Sequence, residues 1–486
     1  MADESTTAAT LEPDDPKRIV VNGINFRTGN YAFAPRSIDE IAKQVRRRPG
    51  DREFGATHGA DRARSFALPF GVSEKIEKAG WAIVFGASTP ASVRDALKPL
   101  IEHRRKQAGR LLKELDYNGE QLRDWLGKQG VSPGNMKPAK LPYYVLLVGS
   151  PEQIPFEFQY LLGVEYAVGR LSFDAATDYA RYVNSTIAYE SGASVPNAKQ
   201  ISFWGTRHRA DAATKLSSTF LIDPLANGVP SDEDQGQPIN KLVSYSQQIF
   251  LGKDATKANL LSTLQAAKPS ALLFTASHGL AFDLGDAQQS ASQGALLCQD
   301  WPGFNEMKPE HFLSAADVPD SANVNGMVAF LFACYGAGTP DKDQFVSDLS
   351  EARTAPPPAA KPFIAALPQR LLAHPKGGAL AVIGHIDRAW SYSMQAPNIS
   401  DPQIGTFRNS LVSILSGTPV GHAMSERFGA RYGELSTLLL NLISPTATGR
   451  PPSDDELVNA WIERNDSQNY VLLGDPSVRI RHELLA

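Results

Sequence analysis

The sequence has only two cysteines in 486 residues, Cys298 and Cys334. That excludes a disulfide framework and a four-cysteine zinc site. It has no surplus of charge: 48 basic against 52 acidic side chains leave −4, with no long run of either sign. Nucleic-acid binding by bulk charge and a polybasic membrane anchor are therefore not expected. No stretch approaches the ~18–20 continuous apolar residues of a membrane span. The opening Met-Ala-Asp-Glu-Ser-Thr-Thr is polar and acidic and leads into no apolar run, so no secretory signal is read there and a cytoplasmic protein is expected. No internal repeat is found, no Gly-x-Gly-x-x-Gly or phosphate loop follows an apolar run, and the Gly-x-Ser-x-Gly elbow is missing. What is present is a globular composition, 42% apolar and 21% charged, on a chain long enough for two or three packed units.

Residues 1–17 read as a disordered leader, and 18–138 as an N-terminal region, either regulatory or an additional α/β subdomain. "RIVVNGINF" reads as a strand with a turn, and "SIDEIAKQVRRRPG" as a helix stopped by Pro49-Gly50. Arg46-Arg47-Arg48, with Arg52, Arg62 and Arg64, reads as a solvated helix end and loop. Six apolar runs then alternate with helical stretches. They are Gly80–Ser88, Tyr143–Ser150, Ile201–Thr206, Ala271–Gly279, Gly326–Gly338 and Gly377–Ile386. The stretch between the first two, residues 92–130, reads as one or two amphipathic helices. Strands apolar throughout, alternating with helices, predict a mostly parallel sheet covered on both faces. Asp223–Pro238 reads as a polar loop and Tyr335–Lys361 as a mobile surface loop.

Ligands of an open parallel sheet bind at the carboxyl ends of its strands. Two such ends carry reactive side chains here. His278 follows Ala-Leu-Leu-Phe-Thr-Ala-Ser and precedes Gly279; Cys334 follows Met-Val-Ala-Phe-Leu-Phe-Ala and precedes Tyr-Gly-Ala-Gly. A thiolate is a nucleophile, and a nearby imidazole takes its proton and returns one to a leaving amine. The N–H groups of Gly279 and Cys334 are placed to hold an oxyanion. Each residue alone reads as structural; together, in this order and each near glycine, they read as a catalytic pair. Cys298, in "GALLCQDW", reads as core. His385, Asp387 and His422 complete no metal-ligand spacing, so no metal is expected.

His-Gly at one strand end and Ala-Cys-Tyr-Gly at the next resemble the caspase–gingipain clan of cysteine peptidases, and most nearly its gingipain-type branch (family C25). "YYVLLVGSPEQIPF" (Tyr143–Phe156), "VGRLSFDAATDYARYVNSTIAYE" (Val168–Glu190), "IGHIDRAWSYSM" (Ile383–Met394) and "NYVLLGDPSVRIR" (Asn469–Arg481) resemble segments of that branch. The resemblance implies an α/β fold, a caspase/gingipain-like three-layer sandwich with a mostly parallel central sheet, in a peptidase domain over 139–486. It implies a cysteine endopeptidase working through an acyl-enzyme, with Cys334 as nucleophile, His278 as acid/base and Trp390 beside the P1 side chain. Several relatives floor the P1 pocket with an acid and take Arg or Lys. Leucine stands about where that acid falls. Of the carboxylates nearby, either Glu165 or Asp174 could supply the charge, but each reads first as a rim or surface carboxylate, and a basic P1 residue is the expectation that follows from the resemblance. Protein or peptide substrates are expected, with a regulatory partner or an activating cleavage, and neither nucleic acid nor membrane. No cofactor is expected; some relatives hold calcium, which nothing in this sequence indicates. Two rivals stay open: an inactive interaction scaffold, and another acyl-transfer enzyme using the same dyad. The loop at 335–361, with Arg353 and Lys361, is a candidate gate or self-cleavage site.

Overall fold

The computed structural model describes residues 18–47, 68, 71–229, 236–303, 307–343, 357–390, 394, 402–443 and 451–485. The leader, Arg48, Arg52, Arg62, Arg64 and Arg353 lie outside these residues, as does much of the Pro-rich loop.

Three short strands come first: β1 (Arg18–Ile19), β2 (Gly23–Asn25) and β3 (Arg36–Ser37). The long strands follow: β4 (Trp81–Gly86), β5 (Leu112–Tyr117), β6 (Tyr144–Val148), β7 (Ala167–Leu171), β8 (Ala198–Gly205), β9 (Ser246–Leu251) and β10 (Ser270–Ala276). After the short β11 (Gly279–Ala281), β12 (Leu296–Leu297) and β13 (Phe312–Leu313) comes β14 (Val328–Phe332). A small pair, β15 (Gly338–Thr339) and β16 (Phe363–Ile364), precedes β17 (Ala381–His385) and β18 (Tyr470–Gly474).

Ten of these form one sheet in the order β5-β4-β6-β7-β18-β17-β14-β10-β8-β9. Every neighbouring pair is parallel except β17 and β18. The sheet is therefore two parallel halves running in opposite directions. The carboxyl ends of β8, β10 and β14 share one edge with the amino ends of β4, β6 and β7.

Both faces are covered, because successive strand residues point to opposite sides. Val328, Phe330 and Phe332 of β14 enter one core with Phe407 and Leu411, Leu439, and Leu457 and Val458. Ala329 and Leu331 enter the other with Val93 and Leu97, Tyr182 and Val183, Leu260, and Leu367 and Leu371. The helices that bring these residues are α2 (Ala91–Ala108), α3 (Ala176–Ser191), α5 (Lys257–Leu264), α6 (Ala366–Leu372), α7 (Gly405–Leu415), α8 (Ala430–Ile443) and α9 (Asp454–Asn469). Helix α1 (Ile38–Arg47) adds Ile41 and Val45 to the first core, and the short α4 (Ala212–Ser217) follows β8. Helix, sheet, helix makes the three-layer α/β sandwich. No helix among the described residues is long and apolar enough to cross a membrane.

Three expectations change. Residues 92–130 are not helix throughout: α2 stops where Gly109 turns to φ +56°, and Leu-Lys-Glu-Leu-Asp-Tyr forms the edge strand β5. Only Leu115 and Tyr117 keep the two-residue spacing of a half-buried strand; Leu112 falls on the other face. Strands β4 and β5 join β6 in one sheet, so the boundary read at 139 marks no break in it. The polar stretch from Asp223 starts as a helical turn, Asp223–Asn227.

Candidate active site

In the pairing of β10 with β14, Ala276 lies opposite Phe332. His278 and Cys334 each sit two residues beyond that pair, so parallel register alone delivers both to the same edge. The two backbones touch there: a Cβ added to Gly279 would lie 1.8 Å from the Cys334 carbonyl oxygen. Directly after Cys334 the chain turns sharply, with Tyr335 at φ +59°, a left-handed conformation uncommon for a bulky residue. His278 and Cys334 are both fully buried.

The imidazole is held from behind. His278 Nε2 lies 2.7 Å from Asp211 Oδ2. An ionised carboxylate only accepts, so this nitrogen carries the proton. Nδ1 is buried and has no hydrogen-bond partner among the described residues. Asp211 follows β8, the strand beside β10, and caps α4 by accepting from Ala213 N at 3.2 Å and Thr214 N at 3.3 Å. It also accepts from the Thr214 hydroxyl, and from Tyr31 Oη at 2.5 Å. Burial pushes the Asp211 carboxyl up, but His278 and these donors outweigh it and hold it well below the carboxylate range. His208, close by, is pushed down to about 4, chiefly by burial, and is neutral at pH 7.

Asp211 was not singled out from the sequence. Its signal was available: an aspartate at a helix N-cap, a few residues past the carboxyl end of a strand.

The N–H groups of Gly279 and Cys334 converge on one oxygen, the carbonyl of Asn22, at 3.0 and 3.1 Å. Cys334 Sγ accepts from Ala389 N at 3.2 Å. Burial pushes the thiol well above its ordinary value, and the Ala389 donor offsets only part of that.

The sequence model of peptidase family C25 matches residues 86–481. The chain belongs to peptidase family C25. Membership makes it a cysteine peptidase. No curated protein sequence matches the chain. Among solved structures, the Arg-specific cysteine proteinase gingipain R (RgpB) is 16% identical, covering 84% of this chain and 80% of that one at a TM-score of 0.44. The complex of Porphyromonas gingivalis RgpB pro- and mature domains is 14% identical over 83% and 80%, at a TM-score of 0.41. The Saccharomyces cerevisiae separase–securin complex is 11% identical over 68% of this chain and 15% of that one, at 0.31.

In this C25 peptidase the residues expected around P1 part company. Trp390 is at the site: its N–H donates to Asp466 Oδ1 at 2.9 Å, its ring packs edge-on against Trp461, and its backbone bridges Val21. Glu165 lies just before β7, on the same edge as Cys334 but three strands away, about 14 Å at ordinary strand spacing. Its Oε1 accepts from Gly134 N at 2.8 Å. Asp174 follows the carboxyl end of β7 and is exposed. Because the two half-sheets run oppositely, it sits at the edge away from Cys334, and the structure removes it from the P1 pocket.

Cys298 is fully buried in the core, as read from the sequence. His385 faces Asp466, 3.3 Å away, while His422 is bonded to Tyr143 Oη at 2.8 Å. Among the described residues no three His, Cys, Asp or Glu side chains cluster as a metal site would require. Lys361, at the end of the expected loop, pairs with Glu152 at 2.8 Å on the surface.

Proposed function

We propose that this peptidase is an endopeptidase that cleaves internal peptide bonds of protein substrates through an acyl-enzyme. The observation that carries it is the convergence of two backbone N–H groups on a single peptide carbonyl beside the Cys334 sulfur. Cys334 is the nucleophile. His278 Nδ1 takes the thiol proton and passes it to the leaving amine. Asp211 holds the imidazole in the tautomer that leaves Nδ1 open and steadies the cation when it forms. The N–H groups of Gly279 and Cys334 stabilise the oxyanion. Water then hydrolyses the thioester, and no step draws on a cofactor. A basic P1 preference depends on an acid in the pocket, and the positions of Glu165 and Asp174 lend it no support.

Mapping the cuts in a peptide library by mass spectrometry tests this reading, with wild type beside Cys334→Ala. Internal cuts by the wild type that vanish in the variant are expected. Cuts that persist in the variant, or none in either, would overturn it.

A further inference from the structure

The carbonyl in the oxyanion site belongs to the chain itself, and the segment around it lies as a bound peptide would. Val21 bridges Trp390 in antiparallel fashion, and Asn22 N–H donates to the Ala389 carbonyl at 3.0 Å. On the other side of the sulfur, β2 runs parallel to β11 with Gly23 opposite Gly279. The segment is thus clamped by backbone pairing both before and after the Asn22–Gly23 bond. A Cβ added to Gly23 would lie 3.2 Å from Cys334 Sγ, so the residue after the bond rests against the nucleophile. The Gly23 N–H folds back to the Val21 carbonyl at 3.0 Å, placing a tight turn at Asn22. The Asn22 side chain is fully buried, and its Nδ2 donates to Ser217 Oγ at 3.3 Å.

We propose that Asn22–Gly23 is the enzyme's own scissile bond: the P1 site accepts asparagine, an uncharged amide, and one cut in cis frees it. This rests on the peptidase mechanism above and adds the substrate class. A fully buried side chain that donates to a neutral hydroxyl suits an amide. A lysine or arginine there would lose its hydration and need a carboxylate in compensation. In the step itself, Cys334 Sγ attacks the Asn22 carbonyl carbon as its proton moves to His278. The oxyanion rests on the two N–H groups, the C–N bond to Gly23 breaks, and the new amine takes the proton from His278. Water then attacks the thioester, leaving the Asn22 carboxylate and the free thiol.

The cut falls where the structure tolerates it. Residues before it supply no group to the proposed mechanism, although Ile19 and Val21 pack in the core and β1 pairs with β3. Residues after it stay and serve, since Tyr31 bonds Asp211 and its ring packs edge-on against His278.

The test incubates the full chain in reductant and reads its mass and N-terminus over time. Wild type runs beside Cys334→Ala, near-isosteric Cys334→Ser, and Asn22→Arg, with circular dichroism to verify folding. Expected are a new N-terminus at Gly23 in wild type only, and library cuts after asparagine about 10-fold or more faster than after arginine or lysine. A cut in the cysteine variants at the wild-type rate would mean spontaneous Asn-Gly chemistry and overturns the proposal. Asn22→Arg cut faster than wild type overturns the P1 assignment. A chain that keeps residues 1–22 while cutting peptides after other residues overturns this proposal and leaves the peptidase mechanism standing. A chain that stays whole and cuts no peptide overturns both.

Discussion

At the scale of single residues, the site depends on groups that do no chemistry themselves. Asp211 bonds His278 and in the proposed mechanism acts through that imidazole, so Asp211→Asn is expected to lower kcat by roughly 10²–10⁴ while KM moves little. Steady-state kinetics separate the two parameters, and a comparable rise in KM would argue against a positioning role. Gly279 is tied to its place by contact: with the Cys334 carbonyl 1.8 Å from any added Cβ, Gly279→Ala must push the nucleophile segment aside. Overpacking of this kind costs about 1–3 kcal/mol. Activity is expected to vanish with a measurable fall in Tm, and an active Gly279→Ala enzyme would refute this picture of the oxyanion site.

At the scale of elements, a buried ion network joins α2, α3 and the turn after β18. Arg104 of α2 reaches Glu190 of α3 at 2.6 and 2.8 Å and Asp475 at 2.8 Å. Asp475 in turn accepts from Trp81 Nε1 of β4 at 3.1 Å. Burial pushes the Glu190 carboxyl up, but Arg104 and His103 prevail and hold it at about 2. The sign follows from a depressed acid: the folded chain binds this proton more weakly than the unfolded one. Its contribution is complete above the ordinary glutamate value of 4.5 and is lost as pH falls towards 2. Glu190→Gln should therefore cost about 3 kcal/mol at pH 7, and the gap from wild type should close between pH 4.5 and 2. Urea denaturation at several pH values measures it, and a gap constant with pH would mean the carboxylate charge is not what matters.

At the scale of the whole molecule, the N-terminal segment and the catalytic edge form one unit, although over 240 residues separate Asn22 from His278 in sequence. Residues 18–22 place the Asn22 carbonyl on the N–H groups of Gly279 and Cys334, and residues 23–37 reach the site through β2 and Tyr31. A chain starting at Gly23 is expected to turn over peptides without a lag. A chain starting at Ile38, having lost the Tyr31 bond to Asp211, should be about 10-fold slower or worse, a hydrogen bond to a charged group being worth ~1.5–3 kcal/mol. Progress curves of the two chains compare them directly, and equal rates would assign residues 23–37 to packing alone. Because burial raises the Cys334 thiol in the sealed chain, its alkylation at pH 7 should be slower than that of the chain starting at Gly23.

Much of this was legible in the chain as written. Apolar runs ending in Ser-His-Gly and Ala-Cys-Tyr-Gly announce buried parallel strands whose carboxyl ends carry His278 and Cys334, the proposed reactive pair, since backbone periodicity is a local property. The edge strand β5 was within reach too, but only Leu115 and Tyr117 keep a two-residue spacing, and Gly109 alone marks the end of the long helix before it. Other features were decided only by tertiary structure. Asp211 meets His278 because β8 pairs with β10, Asp174 is excluded because β17 and β18 run antiparallel, and Asn22 enters the oxyanion site because β2 docks on β11. Each is a long-range pairing of backbone hydrogen bonds, which no local pattern of side chains records. The residue types needed for the proposed chemistry were thus written in the sequence, and the acid behind His278 and the peptide before Cys334 were selected by the way distant strands pair.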